Sequence, residues 1–570
     1  MEHVLVEPFD ETVDLLVVGS GAAALSAAIR AHDLGLKVLL VEKGEAYGGS
    51  TAMSGGVIWV GNNPLMKDVG IADSDDEVRT YLQHITAGEV DDERLDAYVT
   101  ESKRVLQYLR DKTHLEVTPI ESYTDYYPEA PGGKMGARSL EPVPFDASQL
   151  GDGFALMQRP AASALVMGKF MITAKAAKQF IILGPRSIFT IVWLILRYAA
   201  RFLKRRKFGR DTMVTNGNAL VGRLYHSVHD RDIPLWLNAP ATELITVDKR
   251  VVGAVVARDG KSVRVGANRG VVMAAGGFSR NAEMRKQYMP APASTDWTAG
   301  TEHNTGDGIK MGMELGGQTA LMGEAWWTPV TQYPRTTSGW VLVVEKSLPG
   351  AIFVNGNGER FTNEAAPYVD VGVAMYQDHA ITGKSVPCWM VFDGDYRHNY
   401  IAGPVGPGKV MPDKTLPRRL RKHFLKKAGS LRELAELIEI DAAGLEGTVT
   451  RYNQMAKAGV DEDFGRGQSA SDQYYGDHRV TPNPCMAPLD KGPYYAIPVF
   501  PGDLGTKGGL LTDASGRVRT ESGFIAGLYA AGNSSASMMG RSYPGAGGTI
   551  GPALTFGFLA AEAAAGEADS

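Results

Sequence analysis

Apolar positions along the chain alternate between two textures. Short runs rich in Val and Leu, at 13–18 and 37–41, lack the in-out alternation of a half-solvated strand and fit strands buried on both faces of a parallel sheet. The stretch 22–34 between them has helical spacing, so 12–50 predicts a complete βαβ unit. Helical period returns over 74–115, with Val78, Tyr81, Leu82 and Ile85, then Val105, Leu106 and Leu109, on apolar faces and Ser74 and Glu77 at capping-box spacing. Strands are predicted at 243–247, 251–256, 271–275, 351–354 and 387–392. Helices are predicted from 216 and at 309–315, 431–438 and 445–457, with a last turn and helix over 545–558. This interleaving predicts an α/β fold around a Rossmann-like sheet.

The turn after the first strand carries chemistry. Gly19, Gly21 and Ala24 fit G-x-G-x-x-G/A. Gly19 permits the tight turn, Gly21 lets backbone approach a pyrophosphate, and Ala24 allows close helix-sheet packing. The helix that opens at Ala22 and Ala23 then points its N-terminus at phosphate, and Glu42, followed by Lys43, ends the second strand where a carboxylate can accept from an adenosine ribose. A second small-residue stretch over 48–56 contains Gly49, Ser50, Thr51, Ser54, Gly55 and Gly56. Its hydroxyls and bare amides suit a pyrophosphate and the approach of a flavin ring.

Length and charge narrow the picture. A chain of 570 residues exceeds what one core usually serves, so two or more domains are expected. A net charge of −5 argues against nucleic acid as the main partner. Cys388 and Cys485 are far apart and form no metal-ligand pattern, so no metal is expected. The opening MEHVLVEPFDETVD lacks a basic region followed by an apolar one, which predicts cytoplasmic synthesis without a signal peptide.

The segment 167–210 stands apart. An apolar run at 188–196, too short to span a bilayer, is followed by Arg197, Arg201, Lys204, Arg205, Arg206, Lys207 and Arg210. On a helix, Thr190, Arg197, Arg201 and Lys204 fall near one face, and Val192, Trp193, Leu196, Ala199, Ala200 and Leu203 near the other. That pattern predicts a helix lying in an anionic membrane interface, with Pro185 separating it from an earlier helix near 174–183.

The 48–56 stretch resembles that of the fumarate reductase and 3-ketosteroid dehydrogenase flavoproteins. By that resemblance the dinucleotide is FAD. Members that attach FAD covalently carry a histidine there, and none stands here, so non-covalent FAD is expected. Ala275, Gly276 and Gly277 look like a second strand-to-cofactor turn, and Asp307 opens a helix near the same site. Gly532 and Asn533 supply the last glycine-rich turn, and Gly548 and Ile550 start the final helix toward the flavin.

Two positions separate the chemistries within these flavoproteins. Where fumarate reductases place an arginine acid this chain has Tyr368, and where they clamp a carboxylate with arginine it has Tyr543-Pro544-Gly545-Ala546-Gly547, although Arg541 is close by. The chain is similar instead to the 3-ketosteroid Δ1-dehydrogenases over nearly its whole length except the basic insert. The matching stretches are Asp125-Tyr126-Tyr127, Ala325-Trp326-Trp327, 363–368, 503–509 and 543–547. The resemblance implies that the Tyr543 hydroxyl and Gly547 amide hold a steroid C3 carbonyl, that Tyr368 removes a C2 proton assisted by Tyr126, and that flavin N5 takes hydride from C1. A one-residue slip would put Tyr127 in the place of Tyr126. A ketone's α-proton requires donors for the developing enolate and a base, and tyrosine serves as base near neutrality only with its phenolate stabilised.

The expected division is an FAD-binding domain in three segments (1–157, 213–321 and 502–570), a membrane-associating insert (158–212) and a smaller α+β catalytic domain (322–501). The expected partners are a 3-oxosteroid or sterol such as cholest-4-en-3-one or androst-4-ene-3,17-dione, the inner face of an anionic membrane, and an external electron acceptor, a quinone or another. Competing expectations are a 3-oxo-5α-steroid Δ4-dehydrogenase or other flavin desaturase or reductase, and a lipid-binding flavoprotein without turnover.

Overall fold

The strand Glu11–Val18 sits at the middle of the main sheet. Its alternate residues feed two different cores: Leu15 and Val17 belong to the cluster under the helices, and Val13, Leu16 and Val18 to the cluster on the opposite face. That double burial is why the run has no polar alternation. The computed structural model describes residues 8–166, 168–173, 175–177 and 185–567.

Strand order in this sheet is Leu235–Trp236, Val38–Val41, Glu11–Val18, Lys261–Met273, Arg250–Arg258 and Ala241–Val247, with Gly523–Ala530 added parallel to the end of Lys261–Met273 and Arg517–Thr520 antiparallel beyond it. Lys261–Met273 joins two patterns. Its start closes an antiparallel hairpin with Arg250–Arg258, and its end runs parallel to Glu11–Val18. The helix Ala22–Asp33 packs on the closing helix Ile550–Gly566, where Ser26 Oγ donates to the Leu554 carbonyl at 2.8 Å. Small residues at Ala23 and Gly557 permit that approach.

A second, six-stranded sheet contains Gly339–Val341, Ala325–Gln332, Tyr494–Thr506, Cys388–Phe392 and Ala351–Val354 in that order, with Lys426–Ala428 also on Tyr494–Thr506. Helices Leu431–Leu437 and Ala442–Ala458 cover one side of it, as the periodicity predicts. Tyr494–Thr506 pairs with strands on both its sides and runs unbroken through position 501. The 74–115 stretch forms two helices, Asp75–Thr86 and Asp92–Lys112, and the Glu77 amide donates to Ser74 Oγ at 3.2 Å.

In the insert, Pro185–Ala200 and Phe202–Phe208 are separate helices, broken at Arg201. Phe189, Trp193, Leu196 and Leu203 stand 76%, 52%, 63% and 79% exposed, while Leu194 turns inward. The cations do not all face outward. Arg201 and Lys204 both reach Asp146, at 2.5 and 2.7 Å, and Arg210 donates to the Phe154 carbonyl at 2.6 Å. Most of the earlier helix expected near 174–183 lies outside the described residues, as do positions 1–7 of the expected leaderless opening. Among the described residues, no helix is long and apolar enough to cross a membrane.

Candidate active site

A cavity of about 660 Å³ begins at the Gly19 turn, passes the 48–56 stretch and reaches a cluster of tyrosines. Its first end is a cradle of backbone. Gly19 has φ +116°, and a Cβ there would lie 2.2 Å from the Ala274 carbonyl oxygen, so only glycine fits. The helix Ala22–Asp33 starts with no side-chain cap, and so does Ile550–Gly566; Ala22, Ala23 and Ile550 line the cavity. Thr51 takes the Ala22 amide, and the remaining first-turn amides and positive dipole ends of the two helices are left for an anion.

Side chains brace this cradle. Ser50 Oγ accepts from the Thr301 amide and from Asn304 Nδ2, both at 3.0 Å, and Thr51 Oγ1 accepts from the Ala22 amide at 3.1 Å. Glu42 Oε2 accepts from Ser20 Oγ at 2.5 Å and Oε1 from the Gly44 amide at 2.8 Å. Each oxygen keeps a lone pair for a ribose hydroxyl. Lys43 and Asp307 pair at 2.6 Å beside them. His303 is the one histidine on the wall among the described residues, and it stands beside Gly44 rather than in 48–56.

Of the residues expected at the cofactor, Gly49, Ser54, Gly55, Gly56, Ala275, Gly276, Gly532 and Asn533 line the cavity with those already named. Three do not. Ala24 is buried in the helix-sheet contact, Gly277 packs on Thr506, and Gly548 packs on Pro544. They support the wall from behind, because the close packing that excludes a side chain there comes from protein.

At the other end the hydroxyls of Tyr126, Tyr368 and Tyr543 converge. The three rings lie 5.3 to 5.4 Å apart, centroid to centroid. Tyr126 donates to the Tyr368 hydroxyl at 3.0 Å, and Tyr543 shares a hydrogen bond of 3.2 Å with Thr549 Oγ1. Tyr127 points elsewhere, donating to Asp370 Oδ1 at 2.9 Å, so the structure puts Tyr126 and not Tyr127 beside Tyr368.

Each tyrosine has its own support. Tyr368 is the first residue of the helix Tyr368–Thr382, entered through a turn in which Asn363 Oδ1 accepts from the Ala365 and Ala366 amides at 2.9 and 3.2 Å. Glu364 in that turn is held by Arg360 and Arg466. The Tyr126 amide donates to the Pro544 carbonyl at 3.0 Å, tying this loop to the Tyr543 turn, and Asp125 alongside is fixed by Trp59 Nε1 and Arg138 at 2.8 Å each. Trp326 packs edge-on against Tyr543 at 4.7 Å. Gly547, at φ +97°, carries an amide with no protein partner among the described residues, and it lines the cavity with Tyr543.

Burial pushes Tyr126 and Tyr368 well above the usual phenol range, and the donated bond from Tyr126 pulls Tyr368 the other way. Burial also raises Tyr543, opposed by its bonds to Thr549 and Tyr368. A standing phenolate is therefore disfavoured, and the group suits proton transfer coupled to reaction. Sequence reasoning missed Thr549, Asn304 and Tyr475 on the wall. Only Thr549, next to the Gly547-Gly548 turn, had a local signal.

The sheet, the uncapped helix ends and the glycine cradle define a flavoprotein, and the FAD binding domain family model matches residues 14–550. FAD is the cofactor these residues fit. The 3-oxosteroid 1-dehydrogenase of Mycobacterium tuberculosis H37Rv is 41% identical, covering 96% of this chain and 97% of its own, and that of Comamonas testosteroni is 36% identical over 97% and 96%. The crystal structure of 3-ketosteroid Δ1-dehydrogenase from Sterolibacterium denitrificans in complex with 1,4-androstadiene-3,17-dione superposes with a TM-score of 0.94 at 46% identity, over 97% of this chain and 99% of that one. The chain belongs to the 3-ketosteroid Δ1-dehydrogenase family, as the tyrosine motifs lead one to expect.

Proposed function

We propose that the protein is an FAD-dependent 3-ketosteroid Δ1-dehydrogenase that introduces the C1–C2 double bond into the A ring of 3-oxo-4-ene steroids. The observation that carries this reading is the convergence of three tyrosine hydroxyls and the free Gly547 amide on a cavity continuous with the cofactor cradle. Tyr543 and Gly547 donate to the C3 oxygen, where enolate charge develops. Tyr368 takes the C2 proton while Tyr126 donates to the Tyr368 oxygen. FAD, held without a covalent link, supplies the acceptor for the hydride leaving C1. The tyrosine wall keeps water from both steps. Reoxidation falls to an external acceptor.

The division of labour is that of the sequence reading: segments 1–157, 213–321 and 502–570 hold FAD, and 322–501 contributes Tyr368. The insert serves delivery of a water-insoluble steroid. Ile172, Thr173 and Ala177 line the cavity, while Phe189, Trp193 and Leu203 of the same segment are exposed beside the exposed Arg206 and Lys207. An apolar face flanked by cations, at roughly 1 kcal/mol per cation near anionic lipid, suits peripheral attachment to the inner membrane face.

Turnover of androst-4-ene-3,17-dione with an artificial electron acceptor should give a product lighter by two hydrogens with the absorbance of a 1,4-dien-3-one. Turnover confined to saturated 5α-3-ketosteroids would move the reaction to C4–C5 and overturn the reading. For the insert, Phe189→Ser/Trp193→Ser/Leu203→Ser leaves the cavity wall intact and should abolish flotation with anionic liposomes. Flotation equal to the parent's would contradict the membrane role.

A further inference from the structure

Two buried lysines hold backbone just ahead of two of these tyrosines and take no part in the chemistry above. Lys346 lies between the strands Gly339–Val341 and Ala351–Val354, and Lys507 directly follows Tyr494–Thr506, so both are carried by the second sheet. The Lys346 ammonium donates to three successive carbonyls, those of Glu364 at 3.2 Å, Ala365 at 3.1 Å and Ala366. Pro367 and then Tyr368 come next in the chain. The Lys507 ammonium donates at 2.5 Å to the carbonyl of Ser542, the residue before Tyr543, and sits 4.5 Å over Trp326, the ring packed edge-on against Tyr543.

Burying an ammonium is unfavourable, and burial draws Lys346 down to about 8 and Lys507 down to about 7. An apolar side chain of the same length would fill either place without that penalty. What the ammonium adds is N–H donors. Lys346 carries three and each has a carbonyl, in a turn where the next residue, Pro367, has no N–H and the helix Tyr368–Thr382 opens without a side-chain cap. Asp370, in the first turn of that helix, supplies the counter-charge. Burial pushes its carboxyl up to about 6, against the bond from Tyr127 and the pull of both ammonium groups.

C2 and C3 of the A ring are bonded neighbours, so base and enolate donor act on adjacent atoms, and the Tyr368 and Tyr543 rings lie 5.4 Å apart. We propose that Lys346 and Lys507 are positioning residues that fix this pair by tying the backbone ahead of each tyrosine to one sheet, Lys346 for the oxygen that meets C2 and Lys507 for the hydroxyl that meets the C3 oxygen. The proposal rests on the reading of Tyr368 as base and Tyr543 as donor. A shift of about 1 Å at either costs about 10² in rate.

Lys346→Met and Lys507→Met fill the same space and remove the donors. Two measurements on the FAD-loaded enzyme separate the roles. Loss of deuterium from C2 to water in dithionite-reduced enzyme, where hydride cannot leave, reads the base. Affinity for estrone, whose phenolic A ring carries an oxygen at C3 and has no hydride to give, reads the donor. Lys346→Met should slow deuterium loss, and anaerobic flavin bleaching by androst-4-ene-3,17-dione, about tenfold or more while estrone affinity stays within about twofold of the parent's. Lys507→Met should weaken estrone about five- to tenfold, the size of one lost hydrogen bond, and slow both reactions as well. Lys346→Gln and Lys507→Gln, which keep N–H donors one atom shorter, should lie between Met and parent, and they stand in for any Met variant that loses its FAD. Parent-like values in the Met variants or their stand-ins, or rate and affinity falling alike in both as melting temperature falls, would overturn the positioning roles alone. A parent enzyme that does not bleach overturns the steroid reading and this proposal with it.

Discussion

Replacing Gly547 with alanine tests the C3 oxygen site without touching a side chain. At φ +97° an L-residue is strained by about 1–3 kcal/mol. The added Cβ would lie 2.5 Å from the Trp59 amide nitrogen and 2.6 Å from the Ile58 carbonyl carbon, both backbone, so no rotamer relieves the clash. The turn must retreat by about 1 Å to reach ordinary contact near 3.4 Å, pulling against the 3.2 Å bond from the Trp59 amide to the Gly547 carbonyl. The Gly547 N–H moves with it. Misplacement on this scale costs about 10² in rate, and loss of one oxyanion donor about 10² to 10³. Flavin reduction by a 3-oxo-4-ene steroid, measured anaerobically per bound FAD, should therefore fall at least about a hundredfold. The rate is taken per bound FAD because Gly547 lies three residues before Ile550, whose helix N-terminus lines the same cavity. A Gly547→Ala enzyme that retains FAD and reduces it within a few-fold of the parent rate would refute the assignment of that amide.

Tyr368→Phe and Tyr543→Phe should each lower turnover by roughly a hundredfold or more at unchanged FAD content, one losing the proton acceptor and the other an enolate donor; near-normal turnover in either sinks its role. Acid precipitation should release all the FAD into the supernatant, since no histidine stands in 48–56; flavin left on the polypeptide would show a covalent link. Glu345, buried with only backbone amides as partners, is pushed up to about 7 from its ordinary 4.5. Its proton binds more tightly in the folded chain, so the stabilisation is full below pH 4.5 and is lost as pH rises through 7. Between pH 5 and 8 the parent should lose stability relative to Glu345→Gln by up to roughly 3 kcal/mol, read as a changing gap in melting temperature; a constant gap contradicts the burial argument.

What could be read from sequence was what local spacing enforces. The Gly19 turn and the buried strands around it follow from residues within 50 positions, and the Ser74–Glu77 cap from residues three apart. Tyr368 and Tyr543 were legible through the resemblance of the short stretches 363–368 and 543–547 to those of a known family, not from spacing alone. The rest depends on meetings between distant segments. Nothing near Tyr475 announces that it reaches Tyr123. Nothing local to Arg201 and Lys204 reveals that both pair with Asp146. Tyr126 and Tyr127 are adjacent and identical, and only the Tyr368 hydroxyl on one side and Asp370 on the other tell them apart. Gly277 and Gly548 show the same limit, since a glycine bared for a cofactor and one crowded by Thr506 or Pro544 look alike in sequence.

The central claim is that three tyrosines and one amide act on the A ring of a 3-oxo-4-ene steroid beside bound FAD. The most direct test is one anaerobic mixing of oxidised enzyme with a single equivalent of androst-4-ene-3,17-dione, run on the parent and on Tyr368→Phe. The account predicts bleaching of the parent flavin with formation of androsta-1,4-diene-3,17-dione in step, and at least a hundredfold slower bleaching in the variant at equal FAD content. Parent flavin that stays oxidised, or a Tyr368→Phe enzyme that bleaches at the parent rate, would contradict it.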